Sequence, residues 1–171
     1  MNAIIIAAGS GKRISEDAKD LPKSLLMVNG KPIIAHQIQA LKQVGIENII
    51  VITGAHSKKF EIENVRYVKD HCYNEHDILA SLMEAKDFLK NNVLVLYSDI
   101  IFESKILKQI LDSKGDISIA MDMTWEKMYE GRTEHPKSEA ENVQLNKAKK
   151  SLKLKKILKM KMMMLVNFWA S

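Results

Sequence analysis

The sequence predicts an α/β fold: a mostly parallel sheet flanked by helices and incomplete at its C-terminus. Three observations carry that expectation. Short β-branched runs alternate with segments of helical period. The first run breaks into glycines at Gly9-Ser10-Gly11, as a buried strand does on entering a tight loop. The alternation then stops well short of the end, where residues 147–171 change character.

Ala3 to Ala8 is a continuous apolar run, the pattern of a strand covered on both faces. Ile33 to Val44 places Ile34, Ile38, Leu41 and Val44 at helical spacing and stops at Gly45. Asn48 to Thr53 reads as a second strand closed by Gly54, and Val65 to Val68 as a third. Ile78 to Leu89 is helical in period, with Leu79, Leu82, Met83, Ala85 and Phe88 on a face. Val93 to Tyr97 is a fourth strand, followed at once by Ser98-Asp99. Ser104 to Leu111 is a helix with Ser104 as its expected cap, and Ile117 to Met121 is a fifth strand. Strands and helices in this order make a Rossmann-like sheet, with no internal repeat and no linker before about Glu134.

Composition bounds the function classes. The 171 residues are 46% hydrophobic and 27% charged, enough for one domain with a core. A single cysteine, Cys72, excludes a disulfide framework and fits a reducing compartment, the cytoplasm. No apolar run approaches the roughly 18 residues of a membrane span, and Ile4 to Ala8 has no basic flank to make it a signal peptide. The net charge of +5 misleads: eight lysines lie between Lys147 and Lys161, where there is no acid. Residues 1–146 therefore carry 18 basic against 21 acidic groups, so neither nucleic acid nor a membrane is an expected partner of the body. His36, His56, His71, His76 and Cys72 show no metal-ligand spacing and read as surface or packing residues. Oligomeric state is not legible.

Ala7-Ala8-Gly9-Ser10-Gly11-Lys12-Arg13 is the most informative loop. Its glycines let backbone N–H groups approach an anion, and two cations follow. Ile14 stands where a dinucleotide fingerprint needs a third glycine, and Arg13 where a Walker loop needs Ser or Thr. Pro22-Lys23-Ser24-Leu25-Leu26 comes next, then Gly30-Lys31-Pro32-Ile33-Ile34. In order and spacing these three segments resemble the nucleotidyltransferase superfamily that joins NTPs to phosphorylated small molecules. Asn74-Glu75-His76-Asp77-Ile78-Leu79-Ala80-Ser81-Leu82 is similar to a segment of the cytidylyltransferases acting on phosphocholine or 2-aminoethylphosphonate, with Asp77 where that subgroup often has Asn. Trp125, Tyr129-Glu130-Gly131-Arg132 and His135-Pro136 resemble a further segment of the same subgroup. Trp125 and Tyr129, at i and i+4, equally suit a helix face packed on the sheet.

The resemblance implies transfer of a cytidylyl group from CTP to a small phosphorylated or phosphonate amine, with release of pyrophosphate. The alternatives are a sugar-1-phosphate nucleotidyltransferase and a catalytically dead nucleotide-binding remnant. It implies nucleotide contacts from Ala7, Ala8, Gly9, Ser10, Gly11, Lys12, Arg13, Asp77 and Ser81, with Arg13 and Lys23 as the catalytic cations. Asp99 would hold Mg²⁺; Ser98 replaces the glycine usual before it, and a helix-capping role for Asp99 is the plainer reading. Trp125, Tyr129 and Arg132 would meet the acceptor. An aromatic cage for choline and carboxylates for a primary amine are both available nearby, the former from Trp125, Tyr129 and Tyr73, the latter from Glu126, Glu130 and Glu134.

The resemblance covers residues 1–146, the expected N-terminal portion of the domain. Residues 147–171 form a basic, Met-rich tail. As a protein segment it reads as a basic amphipathic helix; as a gene segment it reads as a displaced frame. Met and Trp have one codon each, and Met160 to Ala170 read one frame over, with TTG for Leu165, allows a peptide containing Gly-Glu-Phe-Leu-Gly, which resembles the subgroup at this point. The expectation is a frame slip between about Lys147 and Leu158, with the remaining sheet and a second acidic metal ligand lost.

Overall fold

The structure is a computed structural model that describes residues 1–9, 21–122, 124, 127, 130–131, 142–145, 151–155 and 163–167. Ser10, Gly11, Lys12, Arg13, Trp125, Tyr129 and Arg132 lie outside the described residues. Two compact units form, one from Met1–Ala120 with Met162–Ser171, the other from Met121–Lys161.

In the first unit, strands β1 (Asn2–Ala7), β4 (Asn48–Thr53), β5 (Arg66–Lys69), β6 (Asn92–Tyr97), β7 (Ile117–Ile119) and β10 (Met163–Asn167) form one sheet in the order β5-β4-β1-β6-β10-β7. β5, β4, β1 and β6 are parallel, and β10 runs antiparallel to both β6 and β7. A short hairpin, β2 (Met27–Val28) and β3 (Lys31–Pro32), precedes helix α1 (Ile33–Gln43); α2 (Ile78–Met83) and α3 (Ser104–Leu111) follow in the crossovers. The second unit holds a hairpin of β8 (Asn142–Leu145) and β9 (Ser151–Lys155).

The continuous apolar strands are explained by cover on both faces. Ala3, Ile5 and Ala7 share one core with Ile34, Ile38 and Leu41 of α1 and Leu107 and Ile110 of α3. The alternate residues Ile4 and Ala8 join Ile50, Ile52, Val93 and Val95 in a second core under Leu82 of α2. Strand period two thus sends neighbouring residues of β1 to opposite cores, and Ala3, Ile4 and Ile5 are all fully buried. The two edges of the sheet differ: β5 presents exposed Arg66 and Lys69, whereas β7 has only three residues and leaves Ile117 exposed.

The strands lie within a residue or two of the sequence reading, and three local expectations change. Glu103, not Ser104, occupies the cap position of α3; Ser104 is its first helical residue, and Glu103 pairs with Lys105 at 2.8 Å. The helix expected over Ile78 to Leu89 ends at Met83 and continues as a separate 3-10 turn over Lys86–Phe88. The Glu84 and Ala85 amides donate to the Ser81 and Leu82 carbonyls, bonds that tighten the chain while leaving Leu82 and Ala85 buried. In the tail, residues 151–155 and 163–167 are strands, against the amphipathic-helix reading. The run Met163 to Val166 pairs with Val93 to Leu96 of β6 on one side and with β7 on the other, a place between two strands that overrides helical period. No helix among the described residues is long and apolar enough to cross a membrane.

Candidate active site

The strand order sets the site. From β1 the chain moves one way to β4 and β5, then returns to place β6 on the other side of β1. Open parallel sheets leave a crevice at such a reversal, outside the carboxyl ends of the two strands. Ile6 stands opposite Tyr97, so the segments leaving β1 and β6 side by side are Ala7-Ala8-Gly9 and Ser98-Asp99. These two sequence-predicted groups are thereby brought together.

Ala7 and Ala8 are nearly buried. Beside them, Gly54 ends β4 so close that a Cβ there would overlap the Ala8 carbonyl oxygen and lie 3.1 Å from Tyr73 Cβ. The turn after β1 can take its path because position 54 has no side chain. Asp99 is half-buried, and the cap position of α3 belongs to Glu103.

The Asp99 loop is moored from below by Gln37. This α1 side chain is 1% exposed, and its Nε2 donates to both the Tyr97 and Ile100 carbonyls, each at 2.7 Å. Two main-chain acceptors flanking Ser98-Asp99 are thus satisfied by one amide. In Gln37→Leu both carbonyls lose this part-buried donor, a loss of roughly 1–3 kcal/mol. Denaturant unfolding should show it, and an unchanged midpoint would mean the loop holds itself.

Lys23 is exposed and opens a 3-10 turn, Lys23–Leu25, closed by the Leu25 amide on the Pro22 carbonyl (2.8 Å) and the Leu26 amide on the Lys23 carbonyl (3.1 Å). Asn29 and Gly30, with φ of 49° and 77°, make the two-residue reversal between β2 and β3, where the Asn-Gly pair supplies the left-handed backbone that such a turn needs. The Ile33 amide donates to Leu26, and His36 Nε2 lies 2.8 Å from the Val28 carbonyl. Lys23 is thereby built onto the start of α1. The hydroxyl of buried Ser24 beside it has no hydrogen-bond partner among the described residues.

Asp77 and Ser81 have structural engagements. Asp77 is exposed and caps α2, its Oδ1 accepting from the Ala80 amide at 2.8 Å. Asp77→Ala should cost about 1 kcal/mol of stability, read from the thermal midpoint, and Asp77→Asn much less. Ser81 Oγ donates to Asp70 Oδ2 at 2.7 Å, and the Cys72 amide donates to Asp70 Oδ1 at 2.9 Å. Asp70 follows β5 and is fully buried, so it anchors both the start of this segment and α2. Asp70 and Gln37 carry no part of the sequence expectation, and Gly54 enters it only as the end of the second strand. Position gives a signal for two of them: Gly54 and Asp70 each directly follow a strand at the ligand-bearing edge.

A mostly parallel sheet with its reversal beside a glycine-terminated first strand defines a nucleotide-handling α/β domain. The chain belongs to the MobA-like NTP transferase domain family, whose model matches residues 3–136. The CTP:phosphoglutamine cytidylyltransferase of Campylobacter jejuni is 30% identical over 158 residues, covering 85% of this chain and 62% of that protein. The choline-phosphate cytidylyltransferase of Streptococcus pneumoniae is 36% identical over 108 residues, covering 61% of this chain and 47% of its own. The chain thus spans about half to three fifths of the length of these relatives. Among solved structures, the CTP:phosphocholine cytidylyltransferase of S. pneumoniae superposes with a TM-score of 0.54 at 35% identity, over 61% of this chain and 49% of that one. The inositol-1-phosphate CTP transferase of T. maritima shares the fold, with a TM-score of 0.70 at 17% identity over 97% of this chain and 70% of that one.

Proposed function

We propose that this chain is the N-terminal portion of a cytidylyltransferase that moves a cytidylyl group from CTP to a small phosphorylated or phosphonate amine. The observation that carries the reading is the juxtaposition of Ala7-Ala8-Gly9 with Ser98-Asp99 across the reversal of strand order. The choice of CTP and of an amine-bearing acceptor draws support from the relatives named above. An ionised phosphate or phosphonate oxygen of the acceptor attacks the α-phosphorus; the new P–O bond forms as the bond to the β-phosphate oxygen breaks, and pyrophosphate leaves with the electron pair. The nucleophile is already an anion, so no general base is needed. The work is alignment of two anions that repel, and neutralisation of the leaving group.

Backbone groups of Ala7 to Gly9 would meet the nucleotide, with Ser10 and Gly11 continuing the cradle. Lys12 and Arg13 would hold the triphosphate and Lys23 the phosphates about to react. The Ser24 hydroxyl beside Lys23, without a partner among the described residues, is the kind of donor a phosphate oxygen satisfies. The half-buried Asp99 carboxylate, on a loop fixed by Gln37, suits a hard oxygen-seeking cation, and Mg²⁺ there would neutralise phosphate charge. Trp125, Tyr129 and Arg132 complete the proposal as acceptor contacts.

The experiment is a panel of four NTPs against phosphocholine, 2-aminoethylphosphonate and hexose-1-phosphates, read by pyrophosphate release beside calorimetry for nucleotide binding. CTP with an amine acceptor should lead. Release with a hexose-1-phosphate alone would transfer the reading to sugar activation, and CTP binding without release under any pairing would mean a non-catalytic remnant.

The tail is read as a displaced frame, on its absence of acids, its eight lysines and the peptide in the neighbouring frame. Sequencing the locus tests this. An undisturbed frame with no family-like continuation beside it removes the idea. The 171-residue chain should bind nucleotide weakly and turn over little, and restoring the frame should recover Mg²⁺-dependent release.

A further inference from the structure

Asp70, His76 and Glu84 lie within one short stretch of sequence, at spacings that match no short metal-binding motif, and the fold gathers their side chains. Asp70 directly follows β5, His76 precedes the cap of α2, and Glu84 follows its last residue. His76 Nδ1 lies 3.0 Å from Asp70 Oδ1 and 3.8 Å from Glu84 Oε1, and the three ligand atoms all fall within 4.8 Å of one another.

A second observation concerns the nitrogen itself. Nδ1 is closed to water and makes no aligned hydrogen bond to any described group, although two carboxylates face it. A buried ring nitrogen in that condition is costly unless something else satisfies it. The Asp70 carboxylate, for its part, is fully buried and oriented by Ser81 Oγ and the Cys72 amide, the outer-layer arrangement that fixes a metal-binding carboxylate.

The geometry points to a binding site for a divalent transition ion of the Zn²⁺ class on Asp70, His76 and Glu84. Bonds of about 2.0–2.1 Å in a tetrahedral shell hold neighbouring ligand atoms roughly 3.4 Å apart, and the separations of 3.0 and 3.8 Å bracket that span. One imidazole nitrogen with two carboxylates selects Zn²⁺, Co²⁺ or Ni²⁺ over Mg²⁺, which takes oxygen ligands. Neutral imidazole and two carboxylates carry two negative charges, which a divalent ion cancels. Bound there, the ion ties the end of β5 to both ends of α2. It stands on a different strand from Asp99 and does not depend on the proposed reaction.

The 171-residue chain, stripped with EDTA, is titrated with Zn²⁺ by calorimetry and with Co²⁺ by visible absorption. One equivalent should bind, the thermal midpoint should rise, and millimolar Mg²⁺ should not compete. His76→Ala should weaken binding at least a hundredfold, and Glu84→Gln, at an exposed position that leaves folding intact, at least tenfold. Ser81→Ala should weaken it by about ten- to a hundredfold through loss of carboxylate orientation. No saturable binding, or binding that both His76→Ala and Glu84→Gln leave unchanged, overturns the site and leaves His76 as the partner of a plain ion pair.

Discussion

Gly54→Ala is expected to lower stability by roughly 1–3 kcal/mol and to displace the turn that follows β1. The added methyl meets the Ala8 carbonyl, which is main chain and cannot swing aside, and also crowds Tyr73. The φ of Gly54 is not in the left-handed region, so the effect is steric rather than conformational. The same alanine at Gly9, whose Cβ would meet nothing within 4 Å among the described residues, should be far milder. Paired thermal unfolding of the two variants separates a crowded strand end from a general intolerance of glycine loss. Equal midpoints would mean that Ala8 yields easily and that its carbonyl is not fixed by β4.

The larger effect on chemistry is expected at Lys23. In the frame-restored enzyme, Lys23→Ala should slow turnover by about ten- to a hundredfold, the loss of one charge-assisted phosphate contact of roughly 1.5–3 kcal/mol. The fall should appear in kcat more than in KM for the nucleotide, because the contact strengthens as the acceptor oxygen closes on phosphorus. Arg13→Ala should fall in the same range. The exposure of Lys23 makes its replacement safe for folding, so lost turnover would report on the reaction. Wild-type kinetics would reduce the lysine to a surface residue of its turn.

What could be read in advance follows the range of the forces involved. Strands β1, β4 and β6 were legible because cover on both faces writes an unbroken apolar run into the chain, and Ile34, Ile38 and Leu41 betray α1 by spacing alone. The Asn29-Gly30 reversal carried a strong local signal that the glycine-lysine-proline pattern overshadowed. Gln37 was beyond reach for a different reason: it matters through Tyr97 and Ile100, remote in sequence, and has no local pattern. Asp70 offers only its place directly after β5, and its bond from Ser81 forms once α2 is packed. His76 was dismissed on spacing, yet Asp70 and Glu84 reach it only once β5 and α2 are in place. Ser104 misled because a serine before an apolar run fits the capping rule, whereas Glu103 takes the cap position with no side-chain hydrogen bond to the helix.

The unlike edges of the sheet govern how this molecule behaves at high concentration. A strand edge is an open row of main-chain donors and acceptors, ready to accept a strand from another copy. On the β5 side, Arg66 and Lys69 set cations along that row, so a second copy approaching there meets like charge before it can pair. Among the described residues the β7 side carries no such guard at Ile117, and its brevity limits the number of bonds a neighbour can form. Association should therefore be polar, growing from one margin alone. A lysine placed at position 117 would close that margin without touching the reaction crevice.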